Sequence, residues 1–239
     1  MPPDLRSLIE AGRRIVFFGG AGVSTESGIP DFRSGDGLYN RATGSRYAPE
    51  TVLSHSFFLS HPVDFFDYYR THLLHPAALP NPAHLALARL EAAGRLTAVI
   101  TQNIDGLHQA AGSRTVLELH GSAHRNRCLD CDRAFGMAAV QAAAGVPRCP
   151  CGGVIKPEVV LYEESLDPAV LAAAVEHLEA ADTLIVGGTS LVVHPAAGLL
   201  RVFGGDVIVL LNRAPTELDH LATLVVREPI GVALAGAVD

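Results

Sequence analysis

The sequence predicts an α/β protein, a doubly wound parallel sheet with a second, smaller lobe. Short apolar runs rich in β-branched residues recur along the 239-residue chain, helical patterns lie between several of them, and two segments of different composition interrupt the alternation. Apolar runs without a polar face mark strands buried on both sides, as in a parallel sheet. Strands alternating with helices wind such a sheet with helices on either face.

The first strand is 14-RIVFF-18, which runs directly into the glycine-rich stretch 19-GGAGVSTESG-28. Residues 34–80 open polar and become rich in His, Phe, Tyr and Pro, with a helix expected over 61-HPVDFFDYYRTHLL-74. PAHLALARLEAAG (82–94) begins with Pro and ends with Gly, as helices do. The strand 96-LTAVIT-101 follows, and residues 121–157 then carry four cysteines among Gly and Pro. A helix is expected over 167–182, a strand at 183-TLIVGG-188, a helix over 194–203, and strands at 207-VIVLL-211 and 223-TLVV-226. The segments 34–80 and 121–157 read as insertions that build the smaller lobe, and a cleft between lobes is the natural place for a ligand.

Bulk properties narrow the function. Hydrophobic residues make up 49% of the chain, enough for an ordinary core. The formal net charge of -7 argues against a non-specific grip on nucleic acid or on an anionic membrane. No apolar run approaches the ~20 residues that span a bilayer. The start, MPPDLRSLIEAGRR, lacks the pattern of a signal peptide. A soluble, cytoplasmic protein with no specific nucleic-acid partner and no membrane partner is expected.

Three stretches face a ligand. Glycines after a first strand let the backbone approach a pyrophosphate, whose charge suits the amides of the next turn. After Gly20 and Gly22 the third fingerprint position is Thr25, so the usual dehydrogenase pattern is incomplete. A tight strand-to-helix turn is the simpler alternative. In 28-GIPDFRSGDGLYN-40, Phe32 stands beside Arg33, which suits a ligand, or else Phe32 plugs the core. The stretch 101-TQNIDGLHQAAG-112 begins where a strand ends, which places Gln102, Asn103 and Asp105 where open sheets bind ligands. Asn103 or Asp105 can equally cap the next helix.

Cys128 and Cys131 are followed after seventeen residues by Cys149 and Cys151. Two close cysteine pairs at this separation are a zinc signal, and four thiolates complete a tetrahedron. The zinc is therefore expected to be structural, and His120, eight residues before Cys128, is not expected to be a ligand. Disulfides or free core thiols are the alternatives.

In this order, GAGVS, GIPDFR, TQNID, ELHG and GTSLVVHPA, around the CxxC…CxC insertion, resemble the sirtuins, the NAD-dependent protein deacylases; the motifs run from Ile15 to about Ile230. The resemblance implies a Rossmann-like NAD-binding domain over 1–33, 81–120 and 158–239, with a small lobe made of a helical module (34–80) and a zinc-binding module (121–157). It implies that NAD is consumed as a co-substrate. The acyl-lysine oxygen attacks C1′ of the nicotinamide ribose, nicotinamide leaves, and a histidine base activates a ribose hydroxyl. Deacylated lysine, nicotinamide and O-acyl-ADP-ribose result.

Carried over by position, His120 matches the catalytic base, a role that suits imidazole, and Asn103 stands with it. Gly20, Ala21, Gly22, Ser24 and Thr25 match the phosphate loop. Phe32 and Arg33 match the loop that covers NAD and shields the reaction from water. Gln102, Asn103, Ile104 and Asp105 match the nicotinamide-ribose pocket, with Asp105 on the carboxamide. Gly188, Thr189 and Ser190 match a second phosphate and ribose contact, Asn212 the adenosine ribose, and Ile230 the adenine. His108 is expected to pack or hydrogen-bond, and His194 to touch the peptide. His55, His61, His72, His75, His84, His177 and His220 show no partner pattern.

On the substrate side, 156-KPEVVLYEESL-166 resembles the family's stretch closer to RPDVVWFGE, with Leu161 for Trp, Tyr162 for Phe and Glu163 for Gly. Val159, Val160 and Leu161 would wall the acyl-lysine tunnel, and the peptide would lie as a strand between this segment and Val193 of SLVVH. The acidic pair Glu163–Glu164 would favour basic residues near the target lysine. Sirtuins that remove succinyl or malonyl groups carry a Tyr-x-x-Arg pair; Phe66 and Tyr69 stand there instead, and Arg70 is one residue off. A buried carboxylate without a cation is costly, so acetyl or another neutral acyl group is expected. Acetyl-lysine proteins or peptides are the expected partners. Mono-ADP-ribosyl transfer, a zinc-dependent NAD sensor and a dehydrogenase are the competing readings.

Overall fold

The computed structural model describes residues 4–40, 46–191 and 196–238. Nine strands lie among them: β1 (Ile15–Gly19), β2 (Leu96–Thr101), β3 (Val116–Glu118), β4 (Gly121–Cys128), β5 (Ala134–Gly136), β6 (Ile155–Val159), β7 (Thr183–Gly187), β8 (Val207–Leu211) and β9 (Leu224–Val226). Six of them form one sheet in the order β3-β2-β1-β7-β8-β9, parallel throughout. Counted within this sheet the order is 3-2-1-4-5-6. Three strands step outward, the chain returns to the middle, and three step the other way. That is the doubly wound Rossmann order, and its crevice opens where the direction reverses, at the carboxyl ends of β1 and β7.

The sheet centre is buried on both faces because its sequence is apolar at every position. Ile15 and Phe17 of β1 enter one core with Leu87, Leu90 and Leu234. Val16 and Phe18 enter the other with Leu178 and Leu200. Each such side chain contributes about 1.5–3 kcal/mol on burial. The helix Pro82–Ala92 starts as its sequence predicts. The Asn81 side chain accepts from the Ala83 amide while His84 Nδ1 accepts from the Asn81 amide, a reciprocal cap. Asp167 caps the helix Pro168–Ala180 from one side only, its carboxylate accepting from the Ala169 amide.

Several details differ from the sequence reading. The first helix, Leu5–Ala11, β3, the antiparallel strands β4, β5 and β6, and the last helix, Ile230–Ala237, were not anticipated. The helix expected over 194–203 is a 3-10 helix, Ala196–Val202, with residues 194 and 195 outside the described part. Gly198 in its middle weakens an α-helix there.

The two insertions pack together. The helices His55–Ser60 and Pro62–His72 share one core with the antiparallel sheet β5-β4-β6, in which Phe58, Phe65, Phe66 and Tyr69 meet Cys128, Cys149 and Ile155. Among the described residues no helix is long and apolar enough to cross a membrane.

Candidate active site

A cleft of about 930 Å³ lies over the crevice. Its floor is two interlocked glycine turns. The Gly20 amide donates to the Gly187 carbonyl at 3.2 Å, and the Gly22 amide to the Gly188 carbonyl at 2.8 Å. A Cβ on Gly22 would stand 2.7 Å from Gly188 Cα, and one on Gly188, at φ +59°, would stand 2.4 Å from the Val23 nitrogen. Neither glycine tolerates a side chain, so the backbone is bare at both positions.

The stretch after β2 joins this floor. Ser24 Oγ donates to Asp105 Oδ2 at 2.7 Å, and Asn103 Nδ2 donates to Ser24 Oγ at 3.1 Å. Asp105 Oδ1 also accepts from the Leu107 amide, the first of the short helix Leu107–Ala110, from the position before its N-cap Gly106. Gln102 Nε2 donates to Thr189 Oγ1 at 3.1 Å, which ties the ends of β2 and β7. Ser24, Asn103 and Thr189 are all buried. The capping and ligand-facing readings of Asp105 are thus compatible.

His120 stands between the lobes, after β3 and just before β4. Its Nδ1 lies 3.0 Å from the Gln102 carbonyl oxygen. A carbonyl can only accept, so in the neutral ring Nδ1 carries the hydrogen and Nε2 keeps its lone pair. Burial pushes the imidazole pKa down, and the Gln102 carbonyl offsets only part of this. The ring is therefore held as a neutral base. Gly121 makes the turn possible: its φ is +73°, and a Cβ there would stand 1.9 Å from the Glu158 carbonyl oxygen.

The residues matched to NAD surround one space. Gly20, Ala21, Gly22, Ser24, Thr25, Phe32, Arg33, Gln102, Asn103, Ile104, Asp105, His120, Gly188, Thr189, Ser190, Asn212 and Ile230 all line the cleft, as do Val159, Val160 and Leu161. Asn212, just past β8, donates from Nδ2 to the Ala214 carbonyl. Val193 and His194 lie outside the described residues. His108 is fully enclosed; its ring packs on Phe17 and His84 and neither ring nitrogen makes a hydrogen bond among the described residues, so of its two expected roles the side chain takes the packing one.

The substrate-side segment is anchored at both ends. The Val160 amide donates to the His120 carbonyl, and the Tyr162 amide and carbonyl pair with Leu53 and His55 of the small lobe. Glu163 adopts φ +76°, the backbone that explains why glycine is usual there. Its carboxylate accepts from the Ser56 amide and hydroxyl at 2.9 and 3.0 Å. Glu164 accepts from the Leu161 amide, His55 Nδ1 and Lys156 Nζ. Burial pushes its carboxyl up, but these three partners together outweigh burial and hold it below the usual carboxylate range. The acidic pair expected to recruit basic residues is thus engaged internally, and His55 has a partner after all. Lys156 also donates to the Pro157 and Val159 carbonyls. Phe66 and Tyr69 are buried in the small-lobe core, and Arg70 donates to Asp67 and to the Gly145 carbonyl, so none of the three charges the cleft.

The four cysteines gather as their spacing predicts. All four sulfurs lie within 4.8 Å of one another, with Cys128–Cys151 at 3.5 Å and Cys131–Cys149 at 3.6 Å. A disulfide needs about 2.05 Å, whereas sulfurs around tetrahedral zinc sit about 3.8 Å apart, given Zn–S near 2.3 Å. The set fits zinc with no open position. His120 is not part of it.

Several supports were not legible. Glu26 Oε1 accepts from the Gly231 amide across 205 positions and ties the turn after β1 to the last helix. His124 Nε2 bonds the Asp105 carbonyl, and Asn81 Nδ2 bonds the Val23 carbonyl. Nothing in the local sequence pairs residues so far apart; only the capping signature around Asn81 hinted at a fixed position.

Comparison with known proteins agrees with this geometry. A model of the Sir2 family matches residues 20–195. An NAD-dependent protein deacetylase of Cutibacterium acnes is 57% identical over 232 residues, covering 97% of this chain and 95% of its own. One of Clostridium perfringens is 52% identical over 237 residues, covering 98% and 97%. A solved Sir2 complex with deacetylated p53 peptide and 3′-O-acetyl ADP ribose superposes with a TM-score of 0.87 at 36% identity, covering 97% of each chain. With likeness of this depth along almost its whole length, the chain belongs to the Sir2 family.

Proposed function

We propose that the protein removes acetyl groups from lysine side chains of proteins or peptides and consumes NAD in doing so. The observation that carries this is His120, a neutral imidazole with Nε2 free, held by the Gln102 carbonyl beside two side-chain-free glycine turns. NAD supplies the ribosyl carbon that accepts the acyl oxygen. Gly20, Gly22 and Gly188, where no Cβ intrudes, would let the diphosphate approach the backbone closely. Asp105, fixed by Ser24 and the Leu107 amide, receives the nicotinamide carboxamide. Asn103, anchored on Ser24, orients the ribose, and His120 Nε2 takes the proton of a ribose hydroxyl. Phe32 and Arg33 cover the reacting face, and Ser190, Asn212 and Ile230 serve the ribose and adenine end.

The relatives' names support the activity, and the peptide complex supports a peptide or protein substrate. Val159 and Leu161 are apolar and buried, and positions 66 and 69 carry no cation, which favours acetyl or another neutral acyl group. The four cysteines hold structural zinc in the module 121–157. That module and the helical module 34–80 form the small lobe on an NAD-binding domain of 1–33, 81–120 and 158–239. A cytoplasmic setting fits this reading.

The test is mass spectrometry of an acetyl-lysine peptide incubated with purified protein, with and without NAD. Loss of the acetyl group only with NAD, with nicotinamide and acetylated ADP-ribose appearing, is expected. An intact acetyl group with ADP-ribose attached to protein would overturn the reading in favour of transfer.

A further inference from the structure

The turn over the cofactor site and the strand that faces the substrate are joined by one contact. Tyr39 Oη lies 2.6 Å from Tyr162 Oη. Tyr39 belongs to the turn 31–40, which is closed on itself. The Leu38 amide donates to the Asp31 carbonyl and the Tyr39 amide to the Phe32 carbonyl. Asp31 Oδ1 accepts from the Arg33 and Ser34 amides, and Asn40 Nδ2 donates to the Arg33 and Ser34 carbonyls. Such a turn moves as a unit. Its two cover residues rest on Tyr39 itself: the Phe32 ring meets it edge-on at 5.5 Å, and the Arg33 guanidinium lies 5.2 Å from its centroid.

Tyr162 is the fixed side of the contact. Its amide donates to the Leu53 carbonyl and its own carbonyl accepts from the His55 amide. The next two residues, Glu163 and Glu164, are bonded to Ser56, His55 and Lys156. Two residues upstream, Val160 is bonded to the His120 carbonyl. The Tyr162 hydroxyl therefore stands on backbone shared by the small lobe and the general base. The family's more usual residue there is Phe, which has no hydroxyl.

We propose that Tyr39 and Tyr162 are positioning residues: their hydroxyl pair couples occupancy of the substrate strand to closure of the 31–40 turn over NAD. This rests on the deacetylase reading above. Tyr162, fixed by the small lobe, holds Tyr39, which holds Phe32 and Arg33 over the reacting centre, and a peptide strand laid along 159–162 closes the remaining side. Water is excluded only when both substrates are present.

Tyr162→Phe, Tyr39→Phe and the double variant test it, since each removes one oxygen and leaves the rings. At saturating peptide, KM for NAD should rise by about threefold to tenfold in each single variant, the worth of one hydrogen bond. The double variant should be no worse than either single one, because both break the same contact. Nicotinamide released per acetyl group removed should rise above one, as water captures the ADP-ribosyl centre under a loosened cover. A ratio of one in all variants, or KM effects that add, would overturn the coupling. A lowered melting temperature with an unchanged ratio would reduce the pair to a structural contact and also overturn it. Failure of the parent protein to deacetylate would count against the proposed function alone. The contact is then read by hydrogen exchange of amides 32–40 in NAD-bound protein, where Tyr162→Phe should lose protection and equal protection would sink the proposal.

Discussion

At the scale of single residues, one hydrogen bond fixes the tautomer of His120. The Gln102 carbonyl claims Nδ1, and burial keeps the ring neutral. His120→Ala should still bind NAD in calorimetry while turnover falls about 100-fold or more. Its zinc content should stay that of the parent, because the four sulfurs form the metal set without it. A base works in its unprotonated form, so the acid limb of kcat/KM should have its midpoint below the ordinary histidine value of about 6.5. A midpoint at or above that value would mean the ring is solvated or paired with an acid. His120 was legible because ELHG is a family motif; the carbonyl that fixes its tautomer was not, because Gln102 reaches it through the fold.

At the scale of elements, the segment 159–164 shows how a departure from the usual residue is accommodated. A left-handed backbone costs a residue with a Cβ about 1–2 kcal/mol. Glu163 offsets this by filling amide positions at the start of the helix His55–Ser60, where negative charge is favoured. Glu163→Ala keeps the backbone cost and loses both bonds to Ser56, so it should be less stable by about 1–2 kcal/mol in denaturant titration. Glu163→Gly removes cost and bonds together and should fall within about 1 kcal/mol of the parent. The reverse ranking would show that the φ is not a source of strain. The zinc module behaves likewise as a unit. A chelator should lower melting temperature and activity together, since Cys128 and Cys149 are part of the same core as the helical insertion. Five of the six parallel strands were legible as apolar runs. β3 was not, because Val116–Glu118 is three half-buried residues next to a motif that drew the eye to its histidine. The last helix was missed because IGVALAGA alternates small and apolar residues without a stop signal.

At the scale of the whole molecule, the site is joined to the core by neutral histidines. His84 and His108 are buried against each other, 4.7 Å between ring centroids, and burial lowers the pKa of both. The unfolded chain takes up protons below about pH 6.5 that the folded chain refuses. Stability should therefore be level above that pH and decline as pH falls through it, by up to about 1.4 kcal/mol per pH unit for each ring. Melting temperature measured from pH 7.5 to 4.5 should show this slope, and His108→Asn should flatten it; a parent curve flat to pH 4.5 would place the pair in water. In the sequence His84 showed no partner pattern and His108 was expected only to pack or hydrogen-bond; that the two meet was hidden, since their pairing depends on how the helices Pro82–Ala92 and Leu107–Ala110 meet. Lys156 carries a different consequence. It is the only lysine in the sequence, its side chain is 15% exposed, and its ammonium is already bound to Glu164 and two carbonyls. Acylating reagents need an unprotonated amine, and arginine does not provide one. An eraser of lysine marks is thus built with almost no parchment of its own: it neither competes with its substrates for its own cleft nor accumulates on its surface the marks it removes.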